Sequence, residues 1–238
     1  MKMTLRQALL LCSTCLLPAI VAVPGGRWLL PFLAPLTLYS AFARRVGERD
    51  YVGAWRLGMV WAGLLSAGVI ALVIALPEVA KAGILNGEPY RQEMFQWIAT
   101  GLGRENNPAA FLPEHLLHLS LFVLLTYLTG GYLGLVLGSA LVAYMSYFVG
   151  NYAVAADSWV FGSIVAWVPW SVVRVAAFVL LGALFARPLL VGRRWPFSGL
   201  EGRLMALGGA GILTDMTVKT LLAPRYGLFL RQLADGAL

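Results

Sequence analysis

The chain has 238 residues, of which 60% are apolar and 12% are charged. Soluble domains carry about 25% charged residues, so this composition argues against a water-soluble fold. The net charge of +7 does not indicate nucleic-acid binding, because the arginines gather in loops between apolar blocks, as the positive-inside rule requires. We therefore predict an all-α fold, a polytopic helical membrane bundle, forming a single integral membrane domain over residues 1–238 in contact with the lipid bilayer.

Seven apolar segments follow one another along the chain, and about six to seven of them are expected to be membrane segments. They lack the period-two alternation of a β-barrel, which favours helices. The second segment is broken by Pro31 and Pro35, and the last carries Asp215 and Lys219, so full crossing is left open for these two. The segments cover residues 8–23, 28–42, 55–77, 113–128, 132–149, 163–186 and 204–222.

The first segment contains both cysteines of the chain, Cys12 and Cys15, one helical turn apart. We expect them to be small helix-packing residues, with a redox or metal role as the alternative. The charged start with Lys2 and Arg6 is typical of a signal peptide. However, residues 21–26 offer no proline-free cleavage site, so we interpret the segment as a membrane helix.

Two arginine-rich loops, residues 44–56 and 187–203, flank four predicted spans. An even number of spans places both loops on one side, which the arginine bias predicts to be cytoplasmic. Residues 78–112 then form an outer loop, in which residues 89–98 are expected to lie as an amphipathic helix on the membrane surface. The predicted location is a bacterial plasma (inner) membrane, as a multi-pass protein.

A histidine motif lies at the outer start of the fourth segment. His115 and His118 are the only histidines, and three-residue spacing puts them on neighbouring positions of one helix face beside Glu114. Such residues could be metal ligands, or ligands of haem or quinone, with Glu88, Glu93 or Asp157 completing the site. A proton or substrate contact and interfacial hydrogen bonding are the alternatives. The EHxxH order differs from the HExxH of zinc proteases.

An intramembrane ion pair is predicted between Arg174 and Asp215, since both lie near the middle of their segments. A charge at that depth is costly unless it is paired or wet. Lys219 lies one turn beyond Asp215, so the carboxylate could bridge both cations. A structural pair that fixes helix packing is favoured over an ion or proton path.

Gly134 and Gly138 form a GxxxG pattern. Small residues at this spacing let helix backbones approach closely. Contact within the chain and contact with another subunit are both compatible with the pattern.

The leading functional prediction is a non-catalytic multi-pass subunit or assembly factor of a larger membrane complex, with other membrane subunits as partners. It rests on the short loops, the sparse intramembrane charge and the lack of a P-loop or dinucleotide fingerprint. The alternatives are a redox or metal-dependent enzyme subunit that uses His115, His118 and Glu114, and a small permease component. The sequence identifies no cofactor.

Overall fold

The computed structural model of the protein describes residues 4–156, 158–192 and 199–234. These residues form α-helices and two 3₁₀ helices, Ser13–Ala22 and Arg104–Asn106, and no strand. Part of the second arginine loop, residues 193–198, lies outside the described residues, as do the ends of the predicted domain. The α-helices are α1 Leu5–Cys12, α2 Gly26–Leu33, α3 Leu36–Gly47, α4 Tyr51–Ala75, α5 Pro77–Gly83, α6 Gly87–Thr100, α7 Pro108–Thr129, α8 Tyr132–Ala155, α9 Trp159–Ala166, α10 Pro169–Phe185, α11 Arg187–Val191 and α12 Leu200–Leu233.

Four helical stretches of the described chain are long and apolar enough to cross a membrane. They are Tyr51–Ala75, Pro108–Thr129, Tyr132–Ala155 and Pro169–Val191. Four such helices in an all-helical described chain are consistent with an integral membrane protein. The larger number of six to seven segments stays a prediction.

Prolines explain why two predicted segments are interrupted. Residues 28–42 fall on α2 and α3, which are separated at Pro35. Residues 163–186 fall on α9 and α10, because Val168 before Pro169 is extended, with ψ 136°. A proline disfavours the helical conformation of the residue that precedes it. Pro169 therefore begins a helix and does not kink one.

Only two residues, Gly130 and Gly131, link α7 to α8. Gly130 and Gly131 have φ of 60° and 99°, a left-handed conformation that residues with a Cβ rarely adopt. The two helices consequently run antiparallel side by side. At the opposite end of α7, the Asn107 side chain accepts a hydrogen bond from the Ala109 N–H at 3.1 Å, which caps the helix.

The bundle has a centre and a periphery. α4 and α8 lie at the centre, and α10 packs along α4 and along α12. By contrast, only 17% of the apolar window of α7 is buried, against 61% for α8. α7 therefore presents most of its surface to the surroundings, while one face lies against α8 and α10.

The arginine end of the bundle, as we name it, is where the two arginine-rich loops meet. There the Tyr51 hydroxyl donates to Glu201 Oε1 at 2.8 Å, and Arg187 Nε lies 3.2 Å from the same oxygen. At the other end, the Trp170 indole donates to Glu105 Oε2 at 3.2 Å. We call this the cavity end, since Trp170 and Arg187 lie at opposite ends of the α10–α11 stretch.

α6 lies at the cavity end, and apolar residues that the sequence analysis expected to face a membrane surface point into the bundle instead. Met94, Trp97 and Ile98 are buried, and Trp97 Nε1 donates to Asn106 Oδ1 at 2.9 Å. Gly227 of α12 leaves room for the Trp97 ring, because an added Cβ would lie 3.1 Å from it. The apolar side of α6 therefore packs on the bundle and covers its end.

Candidate ligand-binding cavity

A polar cavity of about 160 Å³ lies at the cavity end, beneath α6 and the loop that follows it. It is enclosed by α6, α7, α8, α10, α12 and the 3₁₀ helix Arg104–Asn106. Both predicted histidines and the predicted cations Arg174 and Lys219 line it. The other ionisable residues that line the cavity come from three parts of the chain. They are Tyr90, Glu93, Arg104 and Glu105, which precede α7, then Glu114 of α7 and Tyr144 of α8.

Arg174 and Asp215 form a two-point ion pair between α10 and α12. Arg174 Nε donates to Asp215 Oδ2 at 2.8 Å, and Nη2 donates to Oδ1 at 3.0 Å. The Asp215 side chain is 1% exposed. A planar guanidinium matches the two carboxylate oxygens in this arrangement, which is stronger and more directional than a single contact.

Lys219 is placed differently from the sequence prediction. Its Nζ donates to Glu105 Oε1 at 2.8 Å, so its ion pair is with the 3₁₀ helix Arg104–Asn106 and not with Asp215. The ammonium also lies 4.3 Å from the centre of the Phe111 ring, at a distance typical of a cation–π contact. Glu105 thus joins Lys219 of α12 and Trp170 of α10.

His115 has one satisfied and one unsatisfied ring nitrogen. Nδ1 lies 2.9 Å from the Phe111 carbonyl oxygen, one turn back on the same helix. Among the described residues, buried Nε2 has no hydrogen-bond partner, and the nearest carboxylate oxygen, Asp215 Oδ2, is 4.0 Å away. That separation is too long for a hydrogen bond. His118 lines the cavity one turn further along α7.

Glu114 does not join the histidines. Its carboxylate accepts from Arg104 Nη1 at 2.8 Å, and Arg104 Nε lies 3.6 Å from Glu93. These three side chains form the outer rim of the cavity. Of the other proposed ligands, Glu88 bonds to Arg91, and Asp157 lies outside the described residues. Within the described chain no group of three His, Cys, Asp or Glu side chains could hold a metal ion, so the metal interpretation gains no support here.

The carboxylates of α6 differ in their acidity. Burial raises the pKa of Glu93, and the nearby Glu105 and Glu114 act in the same direction, while Arg104 opposes them. Hydrogen bonds from Arg91 hold the pKa of Glu88 at about 2, with further bonds from Gln92 and Tyr147. Glu93 at the rim is therefore more readily protonated than an ordinary glutamate.

A second cavity, of about 70 Å³, adjoins the polar one inside the bundle. The two share His115, His118, Tyr144, Met145 and Arg174 as lining residues. Below these residues the walls are mostly apolar, and they reach Gly131 near the arginine end. Ionisable and apolar surfaces therefore meet at the level of His115 and Arg174.

The two predicted packing glycines have different surroundings. A Cβ on Gly134 would overlap the Thr126 hydroxyl of α7, whereas one on Gly138 would lie 4.0 Å from the Phe122 ring. Gly134 therefore allows the close approach of α7 and α8. Gly138 instead faces the apolar cavity, and both contacts are within the chain.

The sequence analysis did not predict that Glu105 and Trp170 would contact each other at the cavity end. Glu105 is one of several carboxylates between residues 78 and 112, and nothing in its local sequence separates it from Glu88 or Glu93. Its burial, at 8% exposed, arises only when the Arg104–Asn106 turn folds over Lys219. Trp170 follows a proline at a helix start, a position equally typical of a tryptophan at the membrane interface.

Comparison with protein-family models, with curated proteins and with solved structures finds no match to this chain.

Proposed function

We propose that the protein binds a lipid-like amphiphile, with the polar end of the ligand in the polar cavity and the start of its chain in the apolar cavity. The observation that carries this proposal is the set of lining residues that the two cavities share. Concave sites of this composition, mostly apolar with a few convergent polar groups, are typical of small-molecule binding.

The buried charges support a binding role over a purely structural one. Asp215 and Lys219 are each 1% exposed, and Glu105 is 8% exposed. Burying ion pairs is often no more stabilising than apolar packing of the same volume. Ionisable groups at this depth are functional candidates by default, and here they surround a cavity.

The volumes limit how much of a ligand fits. A cavity of about 150 Å³ accepts a molecule the size of benzene, so about 160 Å³ and about 70 Å³ suit a polar group and the first carbons of a chain. The rest of the chain would lie in the bilayer. α7 is the natural side of entry, because little of its surface is covered by the bundle.

The other functional predictions stay predictions. The exposed leucines of α7, such as Leu117 and Leu128, would suit either lipid or the partner of a non-catalytic subunit, and copurification in mild detergent tests that idea. A permease would need a polar path, whereas the walls below Arg174 are mostly apolar. A haem, metal or quinone enzyme and a bacterial plasma membrane location await their own tests.

Photolabelling tests the proposal on the purified protein in nanodiscs. The probes are dodecanol, dodecanoic acid and dodecylamine, each with a diazirine close to the polar end. Labelled residues are located by mass spectrometry and expressed relative to labelling of the exposed face of α4. At least one probe should label residues of the apolar cavity such as Leu119 and Phe178.

Two glycine variants provide the matched comparison. Gly138→Leu puts a side chain into the apolar cavity, where a Cβ has room, and Gly63→Leu puts the same side chain on open surface of α4. Cavity labelling should fall about tenfold in the first variant, a change of about 1.4 kcal/mol in binding, and stay within about twofold in the second. Absence of cavity labelling by all three probes, or equal effects of both variants, would overturn the proposal.

A further inference from the structure

We infer that the polar end of the bound amphiphile is an uncharged hydroxyl group, which donates a hydrogen bond to His115 Nε2. This inference rests on the proposed function, and it adds the chemistry by which the ligand is recognised. It starts from His115 Nε2, a buried imidazole nitrogen without a hydrogen-bond partner in the described chain, on a residue that lines both cavities.

The hydrogen bond at Nδ1 determines what Nε2 offers. A backbone carbonyl can only accept, so Nδ1, 2.9 Å from the Phe111 oxygen, carries the proton. In the neutral ring the other nitrogen is then an acceptor. His115 Nε2 is therefore a buried lone pair with no donor among the residues that the structure describes, at a position that lines both cavities.

The neighbouring charges select against an ionic group. Asp215 and Glu105 are already paired with Arg174 and Lys219. An ammonium group at His115 would face the Arg174 guanidinium, and a carboxylate would face Asp215 and bring no proton for Nε2. Beside His115 the nearest carboxylate, Asp215, and the guanidinium of Arg174 are already paired with each other. Either ion would therefore be buried there without a counter-ion of its own, which is unfavourable.

A hydroxyl group can bond to both polar side chains at the junction of the two cavities, His115 and Arg174. Its proton satisfies His115 Nε2. Its oxygen can accept from the guanidinium of Arg174, which commits only its Nε and one Nη2 hydrogen bond to Asp215 out of five donors. Long-chain alcohols, monoacylglycerols, prenols and quinols share this chemistry.

The labelled alcohol, acid and amine described above separate these alternatives. In the wild-type protein, cavity labelling relative to the exposed face of α4 should be about tenfold higher for the alcohol than for the acid or the amine. If the acid or the amine labels the cavity as well as the alcohol does, the hydroxyl assignment is wrong while amphiphile binding stands. If none of them labels the cavity, it is the proposed function that fails.

Variants of His115 test the recognition itself. His115→Leu removes the acceptor and should abolish the preference for the alcohol. His115→Gln returns an acceptor near the Nε2 position and should keep the preference within about threefold. Leu117→Ala is the control, because residue 117 lies on the same helix but is exposed and lines neither cavity; its preference for the alcohol should be unchanged within about twofold. A preference that survives in His115→Leu, or that is lost equally in Leu117→Ala, overturns the inference.

Discussion

Asp215 Oδ2 lies 2.8 Å from Arg174 Nε and 4.0 Å from His115 Nε2. One carboxylate oxygen therefore closes an ion pair with the guanidinium and leaves the imidazole unbonded beside it. Because of this difference of about an ångström, Arg174 is held by Asp215 and links α10 to α12, whereas His115 Nε2 is available to a ligand.

Two variants distinguish the free-energy cost of leaving one buried charge unpaired from the cost of removing the whole Arg174–Asp215 ion pair. Asp215→Ala strands the guanidinium, and such losses are about 3–5 kcal/mol. Replacing Arg174 and Asp215 together by leucine removes both charges and should lower the thermal stability in detergent by less. A double variant that is no more stable than Asp215→Ala would mean that the pair does not exist.

The two glycines of α8 should respond differently to alanine. Gly134→Ala forces a methyl group against the Thr126 hydroxyl, and overpacking of this kind costs about 1–3 kcal/mol. Gly138→Ala meets only an ordinary contact with the Phe122 ring at 4.0 Å and should be neutral or slightly stabilising. Melting temperatures of the two variants decide this, and a similar loss at both positions would contradict the close approach of α7 and α8 at Gly134.

Low pH should remove the contribution of Glu88 to the stability of the folded protein. Its pKa is about 2 in the folded protein, against an ordinary value of 4.5, so the carboxylate adds stability above about pH 4.5 that disappears as the pH falls towards 2. Glu88→Gln should therefore lower the melting temperature at pH 7, and the gap to wild type should close on acidification. The exposed Glu78, changed to Gln, is the control. A gap independent of pH would argue against the charge-assisted bonds from Arg91.

Cysteine labelling from each side of the membrane tests the topology. In a background without Cys12 and Cys15, Glu48→Cys and Gly199→Cys at the arginine end should react from one side, and Leu102→Cys at the cavity end from the other. All three positions are exposed. Reaction of Glu48→Cys and Gly199→Cys from opposite sides would be incompatible with the contact that Tyr51 and Arg187 make with Glu201.

Local chemistry allowed much of the fold to be predicted. Long apolar stretches and the paired glycines before α8 are enough to indicate antiparallel helices. The pairing of Arg174 with Asp215 could be predicted because both lie near the middle of their segments. Residues equally far from the ends of adjacent spans lie at the same depth. The position of Glu105 depends on how a polar loop folds back over α12, which no periodicity encodes. The inward side of α6 was missed for a related reason: an amphipathic helix suits a lipid surface and a protein surface equally well.

Polar contacts along α10 and α12 also limit how the bundle can move. Arg174 binds Asp215, Arg187 lies against Glu201, and Trp170 and Lys219 both bind Glu105. A slip of one helical turn, about 5.4 Å, would separate the Arg174 and Arg187 contacts together and leave several buried charges without partners. Shear between these two helices is therefore ruled out as a low-energy motion, and any rearrangement that admits a ligand must keep their register.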